Sequence, residues 1–255
     1  MFKALLFDLD GTLVPMNMDH FMREYFRAVT HKFANLVQPE KLVREILNGT
    51  MAMINNTDPE KTNKEVFWSH FLSRVNLPEE VLVPMFDEFY VSEFADLKCC
   101  AHPNPLARPL MDLLFEKGFQ VAIATNPVFP ERAIRERMSW VEIGDLPYAL
   151  VTTYENSHFC KPRVEYYEEV IGHLGVKPQE CLMIGNDVEE DLVARKLGVR
   201  TFLVEDWLLN PRDLPIETDY RGSFRDLASF LNGLRVAVTP APGCEIRDTE
   251  VSQIE

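Results

Sequence analysis

Five short, uninterrupted apolar runs constrain the fold of this chain more than any other feature. They occupy residues 4–7, 121–124, 148–151, 181–184 and 201–204. Because a strand that is buried on both faces has no polar alternation, such runs are typical of parallel sheets. Helical stretches that end at glycine or begin at proline separate the later runs. This alternation predicts an α/β fold, a doubly wound parallel sheet with right-handed crossovers.

Residues 15–99 break the alternation. Successive amphipathic helical patterns fill this segment, and methionines and aromatic residues recur in them at helical spacing. We interpret residues 15–99 as an inserted all-helical domain whose core these apolar side chains form. Residues 1–14 and 100–235 then make up the α/β core domain, and the polar segment 236–255 is predicted to be a loosely ordered tail.

Charge and cysteine content narrow the class of partner and the compartment. The chain has 26 Lys and Arg residues against 40 Asp and Glu residues, a net charge of −14. This balance argues against nucleic acid and against an anionic membrane surface as partners. The five cysteines form no CxxC pair, and no run approaches the roughly 18 apolar residues of a membrane span. We therefore predict a cytoplasmic protein without signal peptide or membrane anchor, of undetermined oligomeric state.

Unusual polar residues follow four of the five predicted strands. In a doubly wound sheet, ligands bind beyond the carboxyl ends of the strands, so these residues are expected to meet at one edge. They are Asp8 and Asp10 after the first strand, Thr125 and Asn126 after the second, Lys161 after the third, and Asn186, Asp187 and Asp191 after the fourth. Taken singly, each group also fits a solvated turn, a helix cap, a surface lysine or an acidic first helical turn. Their joint occurrence favours a ligand site.

Together these residues resemble the four motifs of the haloacid dehalogenase-like hydrolase superfamily. The first motif is similar to Asp8-Leu9-Asp10-Gly11-Thr12, the second to Thr125-Asn126, the third to Lys161-Pro162 and the fourth to residues 185–191. The helical segment 15–99 is similar to the C1-type cap of that superfamily. The resemblance implies a Rossmann-like core domain that carries a helical cap domain.

The resemblance also implies a role for each residue. Asp8 would be the nucleophile and a Mg²⁺ ligand, and Asp10 the general acid and base, with its backbone carbonyl on the metal. Thr125 and the backbone amide of Asn126 would hold phosphate oxygens, and Lys161 would balance the charge of the nucleophile and the transferred group. The residue types suit this chemistry, because a carboxylate can form an aspartyl-phosphate and a divalent cation allows two carboxylates to lie together.

The fourth motif departs from the superfamily pattern. Many relatives have aspartate directly after the glycine, whereas Asn186 stands here, followed by Asp187 and Asp191. Either Asn186 supplies a neutral carbonyl ligand to Mg²⁺ or Asp187 becomes the third protein ligand. We expect Asp187, with Asp191 as direct or water-mediated support. Glu189 and Glu190 are expected to lie in an exposed first helical turn.

The function predicted from these residues is that of a Mg²⁺-dependent phosphatase, which hydrolyses a small phosphorylated metabolite through an aspartyl-phosphate on Asp8. A β-phosphoglucomutase-like phosphotransferase would use the same motifs and stays open as an alternative. Asp10 argues against a true haloacid dehalogenase, which usually lacks the second aspartate, and the intact motifs argue against a catalytically silent binding protein. In some capped relatives a histidine placed like His20 assists the acid/base aspartate, but a packed or exposed side chain is the simpler interpretation.

Overall fold

A six-stranded parallel sheet forms the centre of the protein. The computed structural model describes residues 1–235, and its strands are β1 (Ala4–Phe7), β2 (Gln120–Ile123), β3 (Leu150–Val151), β4 (Cys181–Gly185), β5 (Arg200–Val204) and β6 (Tyr220–Gly222). Their order across the sheet is β3-β2-β1-β4-β5-β6, and all neighbours run parallel. The chain thus builds the sheet outward from β1 in both directions, which confirms the predicted doubly wound fold.

Eight α-helices accompany the sheet in residues 1–235. They are α1 (Met18–Lys32), α2 (Pro39–Ile54), α3 (Asn63–Val75), α4 (Glu79–Val91), α5 (Ala107–Glu116), α6 (Glu131–Trp140), α7 (Val164–Leu174) and α8 (Phe224–Gly233). Helices α1–α4 and a 3₁₀ helix (Glu93–Cys100) fill the chain between β1 and β2. Two strand segments meet at the base of this insertion, where Met16 pairs antiparallel with Ala101.

The central strand β1 buries both of its faces. Leu5 and Phe7 belong to one apolar layer with side chains of α5 and α8, whereas Ala4 and Leu6 belong to a second layer with side chains of α7. All four residues of β1 are fully buried. Alternate side chains of a strand point to opposite faces, so a strand without polar residues needs helices on both sides, as it has here.

Two elements differ from the sequence prediction. The sixth strand, β6, reads Tyr-Arg-Gly and has no apolar run, because it lies at the sheet edge and pairs only with β5. The chain after β4 was expected to form a regular helix but forms a short 3₁₀ helix, Leu192–Leu197. Both are short elements whose conformation depends on their neighbours in the fold.

The remaining sequence predictions concern the membrane, the cysteines and the tail. Within residues 1–235, no helix has both the length and the apolarity that crossing a bilayer would require. Cys99, Cys100, Cys160 and Cys181 are free thiols. The predicted tail, 236–255, lies outside the described residues.

Candidate active site

The carboxyl ends of β1, β2 and β4 lie in register at one edge of the sheet. Phe7 pairs with Ile123 on one side and with Ile184 on the other. The pairing continues one residue beyond β1, where the Asp8 N–H donates to the Ile184 carbonyl at 2.8 Å. Asp8 therefore begins its loop where the two neighbouring strands also end, as the motif positions predict.

A buried lysine lies between two carboxylates at this edge. The Lys161 ammonium donates to Asp8 Oδ1 at 2.8 Å and to Asp191 Oδ1 at 2.7 Å. The lysine is completely buried, and Asp191 is 1% exposed. Burial alone would lower the pKa of Lys161, but the Asp191 and Asp8 carboxylates outweigh it and hold that pKa well above its usual value. The lysine therefore stays charged and fixes both carboxylates.

Asp8 has one carboxylate oxygen bound to Lys161 and a second that is not. The second oxygen, Oδ2, lies 3.4 Å from the Thr12 hydroxyl, which is a long contact. Burial raises the pKa of Asp8 to about 7, although Lys161 opposes the shift. A cation next to Oδ2 would favour the ionised carboxylate and so make Asp8 a nucleophile at neutral pH.

Asp10 forms an ion pair that the sequence did not predict. Its Oδ2 accepts from the guanidinium of Arg137, which extends from α6, is 1% exposed and lies 4.7 Å from the centre of the Phe129 ring. Burial raises the pKa of Asp10, and Arg137 opposes that shift. Asp10 Oδ1 and Arg137 Nη2 are buried without a hydrogen-bond partner among residues 1–235. Because buried polar atoms are nearly always paired, both atoms are available to a ligand.

Thr125 and Asn126 lie at the same edge, one residue beyond the end of β2. The Thr125 carbonyl accepts from the Thr152 and Tyr166 hydroxyls at 2.7 and 2.9 Å, which fixes the backbone of this turn. Asn126 Nδ2 donates to Glu190 Oε1 at 2.9 Å, so the second and fourth motifs are in contact. The structure thus brings both predicted phosphate-binding residues to the strand end that faces the acidic pair.

The two aspartates of the fourth motif use three of their four carboxylate oxygens within the protein. Asp191 Oδ1 accepts from Lys161, and Asp191 Oδ2 accepts the Asp187 N–H at 2.9 Å. Asp187 Oδ1 accepts the N–H groups of Glu189 and Glu190, both at 2.8 Å, which is the geometry of an Asx turn. Asp191 therefore supports the lysine, and Asp187 shapes the loop.

Asn186 has its side-chain oxygen close to Asp8. The Thr12 hydroxyl donates to Asn186 Oδ1 at 2.8 Å and lies 3.4 Å from Asp8 Oδ2, so one hydroxyl bridges the two oxygens. Asn186 Nδ2 donates to the Trp207 carbonyl at 2.7 Å, which fixes the orientation of the amide. Asn186 Oδ1 and Asp8 Oδ2 therefore share one hydroxyl partner, whereas Asp187 Oδ1 is bonded within its own loop.

The donor atoms at this point fit a Mg²⁺ ion. Among residues 1–235, no three Asp, Glu, His or Cys side chains converge into a cation site. Mg²⁺ needs no such cluster, because it binds through one or two carboxylates and keeps waters and substrate phosphate as its other ligands. The Asp8 carboxylate, the Asn186 amide oxygen and the Asp10 backbone carbonyl are all hard oxygen donors of the required kind.

A cavity of about 300 Å³ lies between this edge of the sheet and the helices α1–α4. Its floor is polar and includes Asp8, Asp10, Thr125, Asn126, Asn186 and Asp187. Its roof is apolar and includes Met22, Phe26, Ile46, Phe67, Trp68 and Phe86. The methionine and aromatic residues among them belong to the helical core or pack against it, as predicted, and they line the cavity as well.

Two further ionisable residues near the motifs are Glu190 and His20, and only Glu190 lies in an environment other than the expected one. Glu190 was expected in an exposed turn, but it is half-buried, lines the cavity and, because of burial, has its pKa raised to about 8. His20 is exposed in the first turn of α1, where its backbone N–H donates to Asn17 Oδ1 at 2.9 Å. The histidine does not line the cavity.

The comparisons with known proteins agree on one family. A model of the haloacid dehalogenase-like hydrolases matches residues 2–198. The pyrophosphatase PpaX of Anoxybacillus flavithermus is 22% identical over 211 residues, which cover 83% of this chain and 86% of the relative. A glyceraldehyde 3-phosphate phosphatase of Methanothermobacter thermautotrophicus is 24% identical over 213 residues, which cover 80% of this chain and 86% of the relative.

The solved structures support the same assignment at the level of the fold. A HAD phosphatase from Thermococcus onnurineus superposes on this chain with a TM-score of 0.58 at 18% identity. The superposition covers 92% of this chain and 100% of the other chain. The family model spans most of the chain, and within that span the residues of all four motifs meet at one edge of the sheet. The chain therefore belongs to the haloacid dehalogenase-like hydrolases.

Proposed function

We propose that this protein is a Mg²⁺-dependent phosphatase that hydrolyses a small phosphate monoester through an aspartyl-phosphate on Asp8. The observation that carries the proposal is the arrangement of Asp8, which is buried against Lys161 by one oxygen and has its other oxygen free of that lysine. A fixed carboxylate with one free oxygen is suited to attack a phosphorus atom in line. The curated relatives, named for pyrophosphate and for glyceraldehyde 3-phosphate, support phosphoryl chemistry.

Lys161 and the floor of the cavity supply the electrostatic part of this proposal. The ammonium of Lys161 balances the charge of Asp8 before attack and of the phosphoryl group during transfer. Thr125 and Asn126, which line the floor beside it, hold phosphate oxygens. Phosphoryl transfer depends mainly on positioning and charge stabilisation, so the fixed backbone at Thr125 contributes by holding these donors in place.

The metal is proposed to bind at Asp8, Asn186 and the backbone carbonyl of Asp10. When bound, Mg²⁺ neutralises charge on Asp8 and on the phosphate oxygens. Asp187 is held by two backbone N–H groups through its Oδ1, and both oxygens of Asp191 are already bonded. Asn186 Oδ1 shares the Thr12 hydroxyl with Asp8 Oδ2, so we prefer Asn186 as the third protein ligand, and Asp187, through its Oδ2, is the alternative.

Asp10 is proposed to act as the general acid and base. It protonates the leaving oxygen in the first step and takes a proton from the attacking water in the second. Burial raises the pKa of Asp10, which favours a protonated side chain before transfer. Donation of that proton to the leaving oxygen leaves a carboxylate, which the Arg137 guanidinium stabilises and holds in place. The unpartnered Oδ1 is the oxygen that is available for these transfers.

A phosphate-release assay tests this proposal. The protein is incubated with p-nitrophenyl phosphate and with sugar phosphates, whose free hydroxyls could accept the phosphoryl group, in Mg²⁺ or in EDTA, and both inorganic phosphate and the organic products are measured. We expect equal amounts of phosphate and alcohol in Mg²⁺, loss of activity in EDTA and no isomerised phosphate ester. An isomerised ester without phosphate release would instead support a β-phosphoglucomutase-like phosphotransferase.

A matched pair of variants ties the activity to the site. Asp8→Asn removes the nucleophile, whereas Asp87→Asn makes the same chemical change at an exposed position of α4. We expect the first variant to be inactive and the second to behave as the unmodified protein. Equal activity of the two variants would contradict the assignment of Asp8.

A further inference from the structure

The cavity roof differs sharply from its floor in polarity and charge. The roof side chains come from helices α1–α4 and are aliphatic or aromatic, as in Met22, Phe26, Phe67, Trp68 and Phe86. The floor holds the acidic and amide groups that the proposed chemistry uses. A bound phosphate ester would place its phosphoryl group on the floor, so its leaving group would lie against the roof.

The few polar atoms of the roof bond to one another or to the backbone. The hydroxyls of Tyr25 and Tyr90 are hydrogen-bonded at 3.0 Å, and the Thr50 hydroxyl donates to the Ile46 carbonyl at 3.0 Å. These bonds leave few partners for the hydroxyl groups of a sugar. A polar leaving group would therefore lose hydrogen bonds with water that the roof does not replace.

The one basic residue that lines the cavity within the described part of the chain, Arg137, has its charge already balanced by Asp10. Its Nη1 donates to Asp10, and its Nη2 is the one guanidinium nitrogen there that lacks a hydrogen-bond partner among the described residues. Lys161 lies behind Asp8 and is bound to two carboxylates. Arg23, Arg27 and Arg44 line a neighbouring groove between α1 and α2, which shares Phe26 and Leu47 with the cavity but includes none of the floor residues. A carboxylate or second phosphate on the leaving group would therefore find at most the Arg137 Nη2 as a basic donor among residues 1–235, and no unbalanced cation to offset its desolvation.

We propose that the substrate is a monophosphate ester of an uncharged, largely apolar alcohol, of a size up to one or two rings. The inference rests on the proposed phosphatase function and adds the class of its substrate. A volume of about 300 Å³ is at the low end for small-ligand pockets, which limits the leaving group to this size. The apolar roof also disfavours anionic leaving groups, such as the phosphate of pyrophosphate or the carboxylate of phosphoglycolate.

Three primary alkyl phosphates test the proposal without a large difference in leaving-group chemistry. They are 2-phenylethyl phosphate, which is apolar, glycerol 3-phosphate, which is polar and uncharged, and phosphoglycolate, which carries a carboxylate. We expect kcat/KM for 2-phenylethyl phosphate to exceed that for each of the others by about tenfold or more, because only its leaving group gains from contact with the roof. Equal or higher values for glycerol 3-phosphate or phosphoglycolate would overturn the proposal.

A pair of lysine substitutions on α2 links the preference to the roof. Leu47 lines the cavity and is 45% exposed, whereas Met51, one turn further along, is 50% exposed and is not part of the lining. We expect Leu47→Lys to lower kcat/KM for 2-phenylethyl phosphate at least about fivefold relative to glycerol 3-phosphate, and Met51→Lys to leave that ratio unchanged. An unchanged ratio in Leu47→Lys would contradict contact between the leaving group and the roof.

The two proposals fail in different ways. If no ester releases phosphate, or if Asp8→Asn remains active, the proposed phosphatase function is wrong, and the proposed substrate class is then wrong as well. If Asp8-dependent phosphate release occurs but favours the polar or anionic esters, the function stands and only the apolar substrate class is wrong.

Discussion

Replacement of Lys161 by methionine should destabilise the protein strongly, because methionine has a similar length but no charge. In the native protein, the ammonium is 2.8 Å from Asp8 Oδ1 and 2.7 Å from Asp191 Oδ1, and it is completely buried. Removal of one partner from a buried ion pair typically costs about 3–5 kcal/mol, since the remaining charge is left uncompensated. Two carboxylates depend on this lysine, so we expect a loss of about 4 kcal/mol or more.

A loss of this size is large beside the total stability of a domain, which is about 5–15 kcal/mol. The measurement is urea-induced unfolding of wild type and Lys161→Met in EDTA, with the free energy of unfolding obtained by linear extrapolation. Lys161→Met combined with Asp191→Asn supplies the matched control, because the second change removes one of the two unpaired charges. The double variant should recover about half of the lost free energy.

The same variants separate stability from catalysis. If the double variant folds well, its phosphatase activity should still be lower than wild type by about 100-fold or more, because the charge that balances Asp8 remains absent. A decrease in unfolding free energy below about 1 kcal/mol for Lys161→Met alone would refute the reasoning, since it would mean that the buried carboxylates do not need the lysine.

The remaining predictions concern the nucleophile, the metal and pH. Asp8→Asn should lower the rate of p-nitrophenyl phosphate hydrolysis by about 10³-fold or more with an unchanged circular dichroism spectrum, and near-normal turnover would contradict a nucleophilic Asp8. Asn186→Ala should raise the Mg²⁺ concentration for half-maximal activity more than Asp187→Ala, and the reverse order in a Mg²⁺ titration would favour Asp187 as the ligand. Without metal, burial raises the pKa of Asp8 to about 7 and that of Glu190 to about 8, so the folded protein holds protons that the unfolded chain has released. Thermal unfolding in EDTA should therefore show stability falling as pH rises from about 4.5 to about 8, and stability that rises over this range would argue against the raised values.

The motif residues could be located from sequence because each lies in the segment that follows a buried strand, and Asp8 and Asn186 follow theirs directly. Asp8 extends the β1 pairing by one residue, and strand register then determines which loops it meets. An apolar run followed by an acidic pair is therefore enough to locate the end of β1 and the residues that begin its loop. The prediction of one site from four separate motifs needed only the topology of a doubly wound sheet.

Arg137 could not be found in this way. It lies on α6 among other charged residues, and its partner Asp10 is 127 positions away along the chain. Only the packing of α6 against the end of β1 brings the two together. The edge strand β6 was missed for a related reason, because Tyr220, Arg221 and Gly222 form a strand through pairing with β5 rather than through an apolar pattern of their own.

The orientation of Asn186 likewise depends on contacts outside its motif. The Trp207 carbonyl holds its Nδ2, and the Thr12 hydroxyl holds its Oδ1. The sequence left Asn186 and Asp187 open as the third ligand, with Asp187 as the expected one, and that expectation stays a prediction. The fold uses Asp187 Oδ1 for two backbone N–H groups, a competition that the sequence pattern does not reveal.

Detection of the phosphorylated enzyme is the most direct measurement of the proposed chemistry. The protein is mixed with a phosphate ester that carries a radiolabelled phosphoryl group, quenched rapidly in cold acid and digested, and the labelled peptide is sequenced by mass spectrometry. We predict a base-labile acyl phosphate on Asp8 that appears within one turnover and is absent from Asp8→Asn. Rapid hydrolysis with no labelled protein, or with the label on another residue, would contradict nucleophilic attack by Asp8.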